Sequence, residues 1–351
     1  VVGLGSYLVP GPARPIQAVA DEVPADGVRV AVTTDVIQPD PASALEVPAT
    51  QLSEADQAAL LAKKYALRMQ VAAATRSDLP SPAGLPDVVG QGTAVGGPAS
   101  QISSPSGLQI MRNNKITSAN GASASTLAEP AAANNGIHVL ASGNFSHVEF
   151  STNGGVAWTT GGFPAGPADA PTPCCDTDVI HDKGRGVTFN SVLYINNAAT
   201  NGVVRIYVRR NINAAPNCSY TIDPSAGVVL PDYPHLGLSN NHLYLTTNEI
   251  GGGVFAKVRR FNVDQMADCL AASVTTATLA SAVGQRVVTP AEGAKETQYF
   301  SWAENATTIR IWSWNQNAAA PVSVLRTIAS SVFTVNPDCR GGAANNDFTD
   351  S

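Results

Sequence analysis

Two short segments bring residues capable of chemistry close together. Cys174-Cys175-Asp176-Thr177-Asp178 holds two carboxylates two positions apart, on one face if the segment is a strand. Asp232-Tyr233-Pro234-His235-Leu236-Gly237 sets a carboxylate three residues before an imidazole. Glycosidic cleavage needs an acid and a base or nucleophile about 5–10 Å apart, which makes Asp176, Asp178, Asp232 and His235 the candidates for acid–base work. The same side chains could bind sugar hydroxyls without turning the sugar over, or hold Ca²⁺ through oxygen ligands. The plainer role for such acids is to cap turns and accept hydrogen bonds from backbone amides of the next element.

Other chemistries find no support. The five histidines (138, 147, 181, 235 and 242) stand singly, and the five cysteines (174, 175, 218, 269 and 339) form no CxxC, so no zinc site is expected. There is no Gly-x-Ser-x-Gly elbow, phosphate loop or dinucleotide fingerprint, and Gly251-Gly252-Gly253 reads as a turn with no helix directly after it. Trp302, Trp312 and Trp314 could stack on sugar faces, but near one alternating strand they read first as core.

Composition points the same way. Only 14% of residues are charged, whereas Gly (30) and Pro (24) abound in the 351-residue chain, which suits a β-rich protein. A net charge of −6 argues against a nucleic-acid partner, because phosphate binding needs a basic stripe. The pairs Arg209-Arg210 and Arg259-Arg260 read as solvated strand ends. No apolar run of about 18 residues is present, so no membrane span is expected. Scattered cysteines in a β-rich chain suit disulfides of an oxidising compartment. Cys218 with Cys269 is the natural pair. Cys174 and Cys175 either bond each other or reach separate partners, Cys339 among them.

The elements that must position these residues change character along the chain. Residues 1–50 read as a leader, a signal-peptide remnant (Ala18-Val19-Ala20 offers an Ala-x-Ala cleavage site) or a linker, with one strand near Val28-Arg29-Val30-Ala31-Val32. Residues 51–135 read as an N-terminal extension, with a helix over 53–76 that Ser53 caps and Glu54 and Asp56 support. After Gly136 short β-rich runs alternate with Gly, Asn, Pro and Asp. Two units look like copies: Asp176 and the strand at Val187 recur as Asp232 and the strand at Leu243, both displaced by 56 residues (232 − 176; 243 − 187). A weaker third begins near Gln298-Tyr299-Phe300. Such a period with several strands per unit predicts an all-β propeller over 136–351, of six or seven blades when complete; these residues hold about four units, so either the chain is truncated at the C-terminus or the segment before Gly136 supplies missing strands.

Within this region, Ser151-Thr152-Asn153-Gly154-Gly155-Val156-Ala157-Trp158 is the sharpest motif. It resembles the Asp-box, or BNR repeat, of sialidase-like propellers, with pattern Ser-x-Asp/Asn-x-Gly-x-Thr-Trp; Ala157 stands where the family has Thr. The motif is a hairpin device: Asn153 can bond its own backbone and tolerate positive φ, Gly154 and Gly155 supply the turn, and Trp158 packs back on it. The blade starts at Asp176 and Asp232 also look like those of exported bacterial BNR-like proteins, a group to which no single activity attaches.

The resemblance implies a propeller, not a chemistry, because Asp-boxes sit on the blade periphery. A sialidase would need an arginine triad opened by Arg-Ile-Pro, and that motif is not found. The leading expectation is therefore an exported recognition or scaffold module, monomeric, for glycan or another extracellular polymer, secreted, periplasmic or at the cell surface. The alternative is a carbohydrate-active hydrolase or lyase using channel-facing carboxylates.

Overall fold

A computed structural model describes residues 30–40 and 130–327, apart from 145–146, 165, 197, 199, 225–227, 229, 252–253, 280–287 and 306–307, together with isolated positions 55, 59, 62, 63 and 66. Those five are helical and exposed; the rest of the predicted 53–76 helix, the Ala-x-Ala segment and Cys339 lie outside the described residues.

The described chain is all-β. Its strands form four antiparallel sheets, three of them simple meanders in which spatial order follows chain order. The first contains β2 (Ala131–Asn134), β3 (Val139–Gly143), β4 (His147–Ser151) and β5 (Thr159–Thr160). The second is built from β6 (Thr172–Asp182), β7 (Val187–Ile195), β8 (Gly202–Arg209) and β9 (Cys218–Ile222). In the third, β10 (Leu230–Leu238), β11 (His242–Ile250), β12 (Val254–Asn262) and β13 (Ala272–Leu279) are joined at the outer edge by β1 (Val30–Ile37). The fourth comprises β14 (Thr289–Pro290), β15 (Thr297–Asn305), β16 (Thr308–Asn315) and β17 (Val322–Thr327). A short helix, α1 (Val263–Ala267), follows β12 and is capped by the Asn262 side chain.

The first strands pack in sequence, β2 on β6, β6 on β10 and β10 on β14. Repeated meanders stacked through their first strands are the blades of a β-propeller. The 56-residue displacement is visible in the register: Asp182 pairs with Val187 in the second blade as Leu238 pairs with Leu243 in the third.

Each blade interface is a core of its own. β7 is buried along its whole length because alternate residues serve two interfaces. Val192 and Tyr194 face the first blade with Val148 and Phe163. Val187, Phe189 and Leu193 face the third with Leu243, Phe261 and Met266. Between the third and fourth blades, Tyr244 and Val258 meet Phe300, Trp302, Trp312 and Trp314. The three tryptophans are thus core.

The arginine pairs differ from the solvated ends expected of them. Strand alternation turns Arg209 into a blade interface and leaves Arg210 exposed, and it sends Arg259 and Arg260 to opposite faces of the third blade. Arg209, 2% exposed, donates to the Ala214 carbonyl and lies over the Phe150 ring. Arg259 pairs with fully buried Glu249 and donates to Thr247 Oγ1 at 2.9 Å, while Lys257 Nζ approaches Glu249 at 3.6 Å. Arg260 stacks on Trp314 at 4.3 Å.

Part of the chain read as leader and extension belongs to the sheets. β1 adds an outer strand to the third blade through full antiparallel pairing with β13. The chain then reaches the outer edge of the second blade, where the Asp40 N–H donates to Ser219 O (2.7 Å). There the Asp40 carboxylate accepts from Thr221 Oγ1 (2.7 Å) and Arg205 Nη2 (3.1 Å). β2, also upstream of Gly136, supplies the first strand of the first blade.

Two cysteine pairs lie at disulfide distance, Cys174 with Cys175 and Cys218 with Cys269, which suits an oxidising compartment. Cys218–Cys269 ties β9 of the second blade to the segment after α1 in the third, where Tyr220 Oη also donates to Leu270 O at 2.7 Å.

Closing a loop of 51 residues, this disulfide should contribute about 4 kcal/mol by the loop-entropy relation. The double variant Cys218→Ser/Cys269→Ser should show that loss in urea unfolding. A second expectation concerns His242, whose pKa is lowered to about 4 by burial and by Arg260. It folds neutral and accepts a proton near 6.5 on unfolding, so unfolding takes up protons between pH 6.5 and 4 and stability falls as pH falls through that window. His242→Gln should lose less melting temperature than the parent between pH 7 and 4.

Candidate functional site

The predicted site residues lie on the two central first strands. In β6 the register jumps from Pro173 to Thr177, leaving Cys174, Cys175 and Asp176 as a bulge. In β10 it jumps from Asp232 to His235, so Tyr233 and Pro234 bulge. Bulges break the ladder and re-aim side chains. Each carries a non-glycine residue at positive φ, Asp176 at 29° and Tyr233 at 51°. For a tyrosine this is an uncommon, costly conformation that its surroundings must hold.

The carboxylates of β6 hold it. Asp176 Oδ2 accepts from the Tyr233 N–H at 2.9 Å, and Asp178 Oδ2 accepts from the Leu236 N–H at 2.7 Å. Asp178 Oδ1 accepts from the Val179 N–H at 2.8 Å. Two amides of β10, an edge strand of its sheet, are therefore paired across the blade interface: that of Tyr233 in the bulge and that of Leu236 beyond it. Ser191 Oγ adds a bond to Pro234 O at 3.2 Å. Gly237 lets β10 and β14 approach, since a Cβ there would meet Pro290 Cβ at 2.7 Å.

These strands border a cavity of about 390 Å³ to which all four blades contribute. Asp176, Asp178, Tyr233, His235 and Glu292 bring it its ionisable and aromatic groups. The Tyr233 and His235 rings stack at 6.1 Å with a 21° interplanar angle, and both residues are partly exposed. His235 Nδ1 lies 3.8 Å from Asp178 Oδ2. None of the described lining residues is Lys or Arg. Of the four residues singled out in the sequence, three thus share one cavity. Asp232 does not: it is fully buried, opposite Asn248 on β11. Among the described residues no cluster of three or more His, Cys, Asp or Glu is disposed to hold a metal ion, and no helix is long and apolar enough to cross a membrane.

Two members of the cavity escaped the sequence reading. Tyr233 was legible only as part of a blade start, although a bulky residue before Pro inside a repeated segment is a cue to irregular backbone. Glu292 sits in the turn after β14, ahead of Gln298, near which the sequence places the start of the third copy.

The Asp-box is peripheral, in the turn joining β4 to β5. Ser151 Oγ accepts from the Gly155 N–H (2.8 Å) and donates to Asn153 Oδ1 (3.0 Å), which accepts from the Ala157 N–H (2.8 Å). Gly154 and Gly155 take φ of 66° and 83°, and Trp158 packs within 3.5 Å of where a Gly155 Cβ would stand. It builds a hairpin and lines none of the cavity described above.

The fold and site define an all-β propeller with an acidic, aromatic central cavity. No protein-family model matches the chain, and no curated protein matches it. Among solved structures it is similar to an exo-β-1,3-galactanase from Phanerochaete chrysosporium with galactose (12% identity, TM-score 0.37), over 57% of this chain and 50% of that one. It is also similar to an N-acetylgalactosamine deacetylase from F. plautii in complex with blood group B trisaccharide (10% identity, TM-score 0.33), over 56% and 69%. The chain thus spans about half the length of the galactanase.

Asp178→Ala removes the acceptor of two backbone amides, one of them in the next blade. It should cost about 1–3 kcal/mol in urea unfolding, whereas Lys295→Ala on the exposed surface should stay within about 0.5 kcal/mol.

Proposed function

We propose that this protein is an exported glycan-recognition module that seats a sugar in the central cavity, over the Tyr233–His235 pair. The observation that carries this reading is the stacked ring pair, held at the cavity wall by a bulged strand whose strained tyrosine is fixed from the neighbouring blade. An aromatic face takes the C–H side of a sugar ring, and a few placed polar groups orient its hydroxyls. Asp178 and Glu292 are acceptors for those hydroxyls, and His235 can donate or accept. Pre-fixing Tyr233 on folding removes an ordering cost from binding.

Binding is favoured over hydrolysis by what the acids already do. Asp176 and both oxygens of Asp178 already accept backbone amides, so these carboxylates are committed to holding β10 and not to a glycosidic oxygen or an attacking water. Export is supported by the paired cysteines.

The test is a glycan array followed by calorimetry on the best ligand. Tyr233→Asn keeps a residue type tolerant of positive φ and deletes the ring. It should weaken binding at least 10-fold at unchanged melting temperature, with no reducing sugar released by the parent. An array with no bound glycan, or an unaffected Tyr233→Asn, would sink the reading.

A further inference from the structure

A second cavity, of about 510 Å³, adjoins the first. The two follow each other along the same three elements. On β6 the lining passes from Val179 to Ile180, on β10 from Leu236 to Leu238, and after β14 Glu292 borders both. The wall therefore continues without a change of element towards the turns at Lys183 and Asn240. On β6 alone, Asp178 to Asp182 covers about 13 Å at strand rise, more than one pyranose ring.

The far wall is prebuilt. Arg185 in the β6–β7 turn is fixed by Asp182 (2.7 Å), Asp264 (2.6 Å) and the Asn240 carbonyl (3.0 Å). It thereby ties the second blade's turn to the third blade and to α1. Lys183 beside it is exposed, and Ala294 across the cavity is small and partly exposed.

The two ends differ in charge. The Tyr233 end presents carboxylates and, among its described lining residues, no Lys or Arg. An acid-bearing ring there would face like charge at short range in a partly desolvated space, which disfavours it.

From these observations we infer that the two cavities are consecutive subsites of one groove for an oligosaccharide of several rings, uncharged at the Tyr233 end. This rests on the glycan-recognition reading above and specifies its ligand as an extended chain. The experiment is calorimetry with ladders from one to six rings of neutral β-linked gluco- and galacto-oligosaccharides, and with oligogalacturonates as acidic counterparts. Affinity for the neutral ladder should rise at least 10-fold between two and five rings. Ala294→Trp, which fills the second cavity, should abolish that rise while leaving two-ring binding within about 2-fold. Lys183→Trp, on an exposed turn, should reduce the rise and guards against misfolding of the first variant. An affinity flat with length would overturn the groove and leave the single-site reading standing, whereas no binding by any sugar would overturn both. Oligogalacturonates bound as tightly as the neutral ladder would overturn the charge assignment.

Discussion

The hydrogen bonds from Asp176 and Asp178 to the amides of Tyr233 and Leu236 are the interaction on which the rest of the site depends. A first strand in a propeller borders other first strands and pairs on one side only, so amides on its free edge have no ladder partner. Buried amides in that condition cost more than most single contacts return. A carboxylate from the preceding blade resolves this, and charge makes the bond strong. Once it forms, the bulge becomes a defined feature, and Tyr233 can sit at a φ that an isolated strand would reject.

The same bonds make the blades interdependent. One blade buries neither face by itself, and β7 shows the consequence in its alternate residues, which serve two cores. Polar staples follow the same path: Ser142 to Thr177 from the first blade to the second, and Ser191 to Pro234 from the second to the third. At the periphery the Cys218–Cys269 pair and the Asp40 contacts reinforce the joint between the second and third blades. The joint that positions the cavity's aromatic pair is thus braced at its inner and outer edges.

What could be read in the sequence was what local residues determine. The hairpin at Ser151–Trp158 is closed by bonds within seven residues, so its motif was sufficient. The 56-residue displacement was visible because strand alternation and blade starts repeat together. Partnership across a large separation left no such trace. β1 lies more than 200 residues from β13, and its sequence, Val-Ala-Val-Thr-Thr-Asp-Val-Ile, does not name a partner. Arg209 and Arg259 looked like solvated ends because composition does not reveal that the next blade arrives at that face. The acids were legible as a pair, and so was their plainer role as acceptors of backbone amides in the next element; which amides they take depends on the bulges, which register alone discloses.

Strain and acidity in this cavity therefore have one origin. To keep a partly exposed aromatic pair on a channel wall, β10 must leave regular pairing. To hold β10 there, β6 must present carboxylates, and these remain on the lining as negative charge. A basic lining at the same place would leave the Tyr233 and Leu236 amides without anionic acceptors and forfeit the bulge. The bias against acid-bearing ligands at the Tyr233 end thus follows from the way the wall is built, whatever the ligand that selected it.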